Sequence, residues 1–334
     1  MKKAISIFKF FFILLIFFIV VDILFKLNGH GYNNEFKESE VERYPFPYDM
    51  FRAKPNYADH NKYGFRGPVL DNFAYKKILK IAFFAGSTGF YGTPPIPEIL
   101  SQNLKQKGID NVVFNFSSVS SNHSQHLHRL LNFLSWKFDV IIFYGGGNET
   151  LSYYFYDTRP GYPYNFFIRN EISPIKHTLI RYSSFFGKLD KSTGWLSGFK
   201  KLQGNKNKNY NNWSDSIAEN YLNDLKIAER LTKGSVFSEV CKQSIFVPIT
   251  QPMKIDFNIE REDFKVHFDK IKLLVNKINV KKELKNLENY LNYSYLNNKI
   301  IFSDELHTTQ DSKKIISSVM VDDLLKILNT KCFN

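Results

Sequence analysis

The stretch Leu79 to Gly92, LKIAFFAGSTGFYG, decides the fold. Ile81 to Ala85 is an unbroken apolar run between Lys80 and Gly86. A run of roughly four to eight apolar residues ended by glycine reads as a strand buried on both faces. Gly86-Ser87-Thr88-Gly89 follows at once. A serine on a sharp turn between strand and helix holds its hydroxyl clear of the backbone, as a nucleophile must. Taken alone, the stretch reads first as a plain strand–helix turn whose Ser and Thr act as caps, because glycine and serine populate most turns. The far end of the chain shifts that balance, because Asp304-Glu305-Leu306-His307 follows another apolar run, Ile300 to Phe302.

Working outward, the same grammar recurs. A helical pattern runs from Pro97 to Lys107 and stops at Gly108. Val112 to Phe116 is a second apolar run, followed by Ser117-Ser118-Val119-Ser120-Ser121-Asn122. A helix from about Ser124 to Trp136 leads to a third run, Val140 to Tyr144, and then Gly145-Gly146-Gly147-Asn148-Glu149. Strand alternating with helix calls for a parallel sheet covered on both faces. From Thr150 to Trp213 the regularity lapses into an aromatic belt, including Tyr153, Phe155 and Tyr164, and a lysine–asparagine stretch, Gly204 to Asn212. Ser216-Ile217-Ala218-Glu219 has the form of a capping box opening the next helix, which Gly234 closes. Ile245 to Ile249 makes a fourth strand, a helical region spans about Glu262 to Leu296, Ile300 to Phe302 makes a fifth strand, and Asp311 to Leu328 a last helix.

Ahead of this frame lies an apolar segment, Ala4 to Phe25, preceded by Met1-Lys2-Lys3. Its length matches the roughly twenty residues a transmembrane helix needs, with Lys9 and Asp22 reaching toward opposite interfaces. No small-x-small cleavage pattern follows, so residues 1–25 read as an uncleaved signal anchor rather than a cleaved signal peptide. The leading lysines keep the N-terminus cytoplasmic and export everything after it. Residues 26–78 read as a juxtamembrane linker and an ordered lead-in, and 79–330 as the main domain, with an insertion at about 150–213.

Composition sets the outer limits. The chain has 334 residues, a formal net charge of +13 and 43% hydrophobic residues, enough for a full core. Its basic residues are scattered lysines with no compact arginine-rich face or reading module, which argues against nucleic-acid binding. Cys241 and Cys332 are far apart and form no metal or redox motif, so they leave the compartment open.

In a parallel sheet all carboxyl ends share one edge, where ligands bind. Ser87, Ser117, Asn148, Asp304 and His307 all follow strands and therefore converge on that edge. Serine, histidine, a carboxylate and an amide donor are what acyl transfer requires. These blocks resemble those of the SGNH, or GDSL-type, hydrolase superfamily. Gly86-Ser87-Thr88 corresponds to the first block in its GST form, Gly146-Gly147-Asn148-Glu149 to the third, and Asp304-x-x-His307 to the fifth. The resemblance covers about Leu79 to Leu328. It implies a flavodoxin-like three-layer α/β/α domain with a five-stranded parallel sheet. It also implies Ser87 as nucleophile, His307 as base, Asp304 as its orienter, and an oxyanion hole from Ser87, Ser117 and Asn148. At Ser117 the chain departs from the family's glycine, a change that strains the backbone only if φ there is positive.

The other candidates carry less. His123, His126 and His128 open a helix without an accompanying carboxylate or cysteine, and read as a solvated face near the cleft rather than a metal site. Arg66 and Arg159 read as structural. No cofactor is expected. The resulting reading is a membrane-anchored, extracytoplasmic serine esterase acting on an O-acyl ester of an envelope glycan. An O-acyltransferase of the same type, or an inactive glycan-binding scaffold, are the alternatives.

Overall fold

A computed structural model describes residues 2–29, 41, 44–46, 50–70, 77–149, 174–193, 195, 210–234, 240–252, 269, 302–304 and 306–333. Two compact units are present: Met1–Val41 with Asn165–Lys206, and Glu42–Tyr164 with Asn207–Asn334.

The first unit holds helix α1 (Lys2–Leu27), whose stretch Ser6–Leu27 is long and apolar enough to cross a membrane. A secretory signal sequence would meet the same criterion. Asp22 lies near the C-terminal end of this helix. Its carboxylate accepts hydrogen bonds from Ser183 Oγ at 2.6 Å and the Phe185 N–H at 2.9 Å. Phe185 belongs to the second of two helices, Pro174–Tyr182 and Ser184–Thr193, and Ser183 joins them, in a region where the sequence reads as irregular.

The second unit is a mixed α/β structure. A short antiparallel hairpin, β1 (Tyr44–Phe46) and β2 (Met50–Arg52), opens it. There follow β3 (Leu79–Ala85), a one-turn helix α2 (Ser87–Phe90), α3 (Ile96–Gln106), β4 (Asn111–Asn115), α4 (His123–Phe133) and β5 (Val140–Gly145). In chain order the two helices of the first unit are α5 and α6. The second unit resumes with α7 (Tyr210–Gly234), β6 (Ile245–Thr250) and α8 (Gln310–Lys331). The helix α7 begins six residues before Ser216, so the capping-box pattern lies inside it.

The sheet has four parallel strands in the order β4-β3-β5-β6. Five strands are expected from the sequence. The fifth falls largely outside the described residues, where only Phe302 is seen, in a single antiparallel bridge to Thr308. The region about Glu262 to Leu296, the aromatic belt and Arg159 also lie outside the described residues, apart from position 269.

Continuous apolar strands are explained by what covers them. Leu79, Ile81, Phe83 and Ala85 of β3 enter one buried cluster with Ile96, Leu100 and Leu104 of α3 and Ile316, Met320 and Leu324 of α8. The alternate residues Ala82 and Phe84 enter another with Leu130 and Phe133 of α4 and Ile217, Tyr221 and Leu225 of α7. Period-two alternation therefore sends side chains into two separate cores. Each fully buried large side chain contributes about 1.5–3 kcal/mol of transfer free energy. Phe65 of the lead-in packs in the second cluster, and Arg129 ties that segment down through Phe51 O and Ser121 Oγ.

A disulfide joins Cys241, just before β6, to Cys332, just after α8, across 91 residues. The sequence shows two distant cysteines without a metal or redox motif, and the fold pairs them. The two ends meet where Ile316 to Leu328 of α8 share one buried cluster with Ile245, Val247 and Ile249 of β6, and Cys241 itself belongs to that cluster.

Candidate active site

The chain crosses from one side of the sheet to the other between β3 and β5, which are adjacent. Such a reversal leaves a crevice at the carboxyl edge. Ser87 stands there at the start of α2, directly after β3. The turn is tight because the Gly89 and Phe90 N–H groups both bond to Gly86 O, at 3.2 and 3.1 Å. Gly86 itself is required by a close approach. A Cβ on it would run into Asn148 Nδ2, so glycine lets that amide rest against the serine turn.

Ser87 Oγ is 2.7 Å from His307 Nε2, and His307 Nδ1 is 2.6 Å from Asp304 Oδ2. With a carboxylate facing Nδ1, that nitrogen carries the proton and Nε2 is left to accept one from serine. The other oxygen of Asp304 accepts the Leu306 and His307 N–H groups, at 2.8 and 2.7 Å. Burial pushes the Asp304 carboxyl up. The hydrogen bonds from the His307 and Leu306 backbone and from the His307 ring outweigh it, and hold the group below its usual range. The three-residue spacing works because one short turn folds the carboxylate back over its own backbone. The Tyr91 ring flanks the site, 6.0 Å from the His307 ring.

The expected oxyanion donors divide. Asn148 lies against Gly86, buried, with Nδ2 donating to Ser121 O at 2.7 Å. Ser117 differs from the expectation. Its N–H donates to Asn115 Oδ1 at 3.0 Å, so the backbone group is already committed. Positive φ occurs not at Ser117 but at Ser120, 61°, so the glycine-like point of this loop lies three residues further on.

The histidine-rich turn also departs from the sequence reading. His123 and His126 are fully buried, and only His128 is exposed. Glu149, next to Asn148, is the carboxylate that the sequence did not reveal beside His123. Its Oε1 accepts from the His123 N–H and faces His123 Nδ1, both at 2.6 Å, and its Oε2 accepts from the Gly146 N–H at 3.0 Å. Gly146, with φ 108°, supplies the left-handed turn that aims its N–H back at Glu149. Burial raises the Glu149 carboxyl, and the His123 charge and hydrogen bonds overcome it to leave a lowered value. His126 is held well below the ordinary imidazole range by burial, then by the charges of His123 and Arg129. Asn148 and Glu149 thus grip the Ser121–His123 turn with two neighbouring side chains. The signal in the sequence was adjacency to Asn148, but nothing in the spacing linked Glu149 to a histidine 26 residues away.

Two further residues join the edge. Gln251, after β6, accepts from Thr88 Oγ1 at 3.2 Å and so steadies the serine turn. Arg66 is structural, bonded to Asp59 Oδ2 at 2.6 Å and to the carbonyls of Phe90 and Gly92. Among the described residues, no group of three or more His, Cys, Asp or Glu side chains is arranged to hold a metal ion.

No family model matches the chain, and no curated protein matches it. Among solved structures it is similar to an acetylxylan esterase from Geobacillus stearothermophilus, at 9% identity and a TM-score of 0.39. The similarity covers 75% of this chain and 95% of that one.

Proposed function

We propose that the chain is a membrane-anchored, extracytoplasmic serine esterase with Ser87, His307 and Asp304 as its triad. The observation that carries this is the unbroken chain Ser87 Oγ, His307 Nε2, His307 Nδ1, Asp304 Oδ2, with contacts of 2.7 and 2.6 Å. In this mechanism Ser87 Oγ attacks the ester carbonyl as His307 Nε2 takes its proton. Asp304 stabilises the imidazolium so formed without itself becoming protonated. The oxyanion meets the Ser87 N–H, at the first position of α2 where a helix leaves such groups unpartnered, and the Asn148 amide. Collapse of the tetrahedral adduct expels the alcohol, which takes the proton from Nε2. Water then repeats the sequence and frees the acid.

Three further parts of the reading stand on separate supports. The disulfide Cys241–Cys332 favours an oxidising compartment, and with α1 as anchor it favours the outer side of a membrane. The parallel order and the two-sided cover by α3 with α8 and α4 with α7 favour a flavodoxin-like three-layer domain within 79–330, completed by a fifth strand at 300–302. An O-acyl group on an envelope glycan is the substrate class favoured by compartment and by the SGNH-like blocks. The test is labelling with a fluorophosphonate probe followed by peptide mapping. Modification of Ser87, lost in His307→Ala, supports the reading. An unmodified Ser87 in folded protein ends it.

A further inference from the structure

The first unit holds an arrangement that the ester chemistry does not use. Between Ser6 and Leu27 the helix α1 carries three charged residues, Lys9, Asp22 and Lys26. Lys9 and Lys26 lie toward the ends, but Asp22 lies five residues before Leu27, about 7–8 Å in from that end at the helical rise per residue. A carboxylate at that depth is costly unless it is paired. Asp22 is paired, and with α6: its Oδ1 takes Ser183 Oγ and the Phe185 N–H, and Ser183 Oγ in turn accepts the Phe186 N–H at 3.1 Å. Asp22 and Ser183 together cap the N-terminus of α6, where negative charge is favoured.

Rings fix the level further. Phe18 stacks on Phe186 with centroids 6.3 Å apart, and Phe25 meets Phe185 edge-on at 5.2 Å. The first turn of α6 is therefore held between Phe18 and Phe25 of α1. If α1 crosses a bilayer, it carries residues 183–186 to the boundary between acyl chains and headgroups.

The rest of the helix pair has the composition that boundary selects. Ile175, Tyr182 and Trp195 are 75%, 62% and 68% exposed. Ile175 and Tyr182, seven residues apart on α5, share one face. Residues 174–195 carry Lys176, Arg181, Lys188 and Lys191 against Asp190 alone, four minus one giving +3. Aromatic and aliphatic groups beside basic ones mark interfacial segments facing anionic lipid.

We infer that α5, α6 and Trp195 form a membrane-interface element. It lies in the leaflet where α1 ends, with Ile175, Tyr182 and Trp195 at the acyl–headgroup boundary and the exposed Lys176 and Lys188 among anionic headgroups. The occupant of this surface is lipid. The inference rests on the membrane reading of α1 and is independent of the triad.

The experiment uses the full chain in nanodiscs of phosphatidylcholine and phosphatidylglycerol, with acyl chains brominated near the carboxyl end. Tryptophan emission is compared for the wild type, Trp195→Phe and Asp22→Leu. The expected result is quenching in the wild type, loss of the quenched component in Trp195→Phe, and at least a twofold smaller component in Asp22→Leu. Three results overturn the inference. Equal quenching in the wild type and Trp195→Phe removes Trp195 from the lipid while leaving the anchor intact. A blue-shifted but unquenched Trp195 in a cross-linkable dimer assigns the surface to a second copy. Failure of the chain to stay with the discs refutes the anchor, and the interface with it.

Discussion

Glu149 offers a direct trial of how the site is held together. Its carboxylate, 9% exposed, is the acceptor for the His123 N–H, His123 Nδ1 and the Gly146 N–H, at 2.6, 2.6 and 3.0 Å. Glu149→Ala leaves all three donors buried without that acceptor, at roughly 1–3 kcal/mol each if none finds a substitute. Relaxation and the loss of a buried pair together set the expected cost at about 3–5 kcal/mol. Glu149→Gln is milder. Its remaining carbonyl oxygen can keep the two His123 donors, while its NH2 faces the Gly146 N–H, so one bond is lost and the cost is about 1–3 kcal/mol. The assay is urea unfolding of the full chain in detergent, followed by near-ultraviolet circular dichroism, with the denaturant slope checked for constancy. Turnover is measured alongside. Asn148 and Glu149 grip the same turn, so turnover should fall more in the alanine variant than in the glutamine variant, with little change in KM. A loss of less than about 1 kcal/mol in Glu149→Ala, or equal losses in both variants, refutes the reasoning.

Acid stability should follow the same carboxylate. Glu149 is lowered in the folded chain, so its contribution is present above the ordinary value of 4.5 and lost as pH falls through the folded value. A melting temperature that declines below about pH 4.5 in the wild type should therefore decline less in Glu149→Gln; parallel curves would contradict this. Reducing Cys241–Cys332 reopens a loop of 91 residues, which by chain entropy costs about 4–5 kcal/mol; a melting temperature indifferent to reductant would contradict it. Asn148→Ala should lower kcat about a hundred- to a thousandfold, whereas Ser117→Ala, whose N–H faces Asn115 either way, should stay near wild type. A large kcat loss at Ser117 with Asn148→Ala unharmed would reverse the assignment.

What could be read from the chain depended on how local the cause was. The strand β3 and its serine turn were legible because burial on both faces writes an unbroken apolar run, and glycine marks the turn. The pairing of Asp304 with His307 was legible because one short turn contains it. The helices α5 and α6 were not, because their periodicity is short and broken at Ser183, and what holds them is Asp22, 161 residues earlier. His123 stands out in the sequence but reads there as part of a solvated face, whereas it is fully buried. Its burial depends on α7, whose Tyr221 ring lies 4.5 Å away, and on Glu149 from another strand's end. The disulfide escaped for the same reason, since only the packing of α8 along the sheet brings its ends together. The conformation at Ser117 was not legible, because counting from the end of β4 cannot say which of six loop residues takes the left-handed conformation, and that residue is Ser120.

The central claim is that Ser87 and His307 act as one unit, joined by the 2.7 Å contact across 220 residues of chain. The most direct measurement is turnover of an activated acetyl ester by Ser87→Ala, His307→Ala, the double variant and Asp304→Ala. Both single variants should fall to the same floor, and the double variant should fall little further, because neither residue works without the other. Asp304→Ala should retain on the order of ten- to a hundredfold more activity than Ser87→Ala. Multiplicative losses in the double variant, or full turnover in Ser87→Ala, would contradict the account.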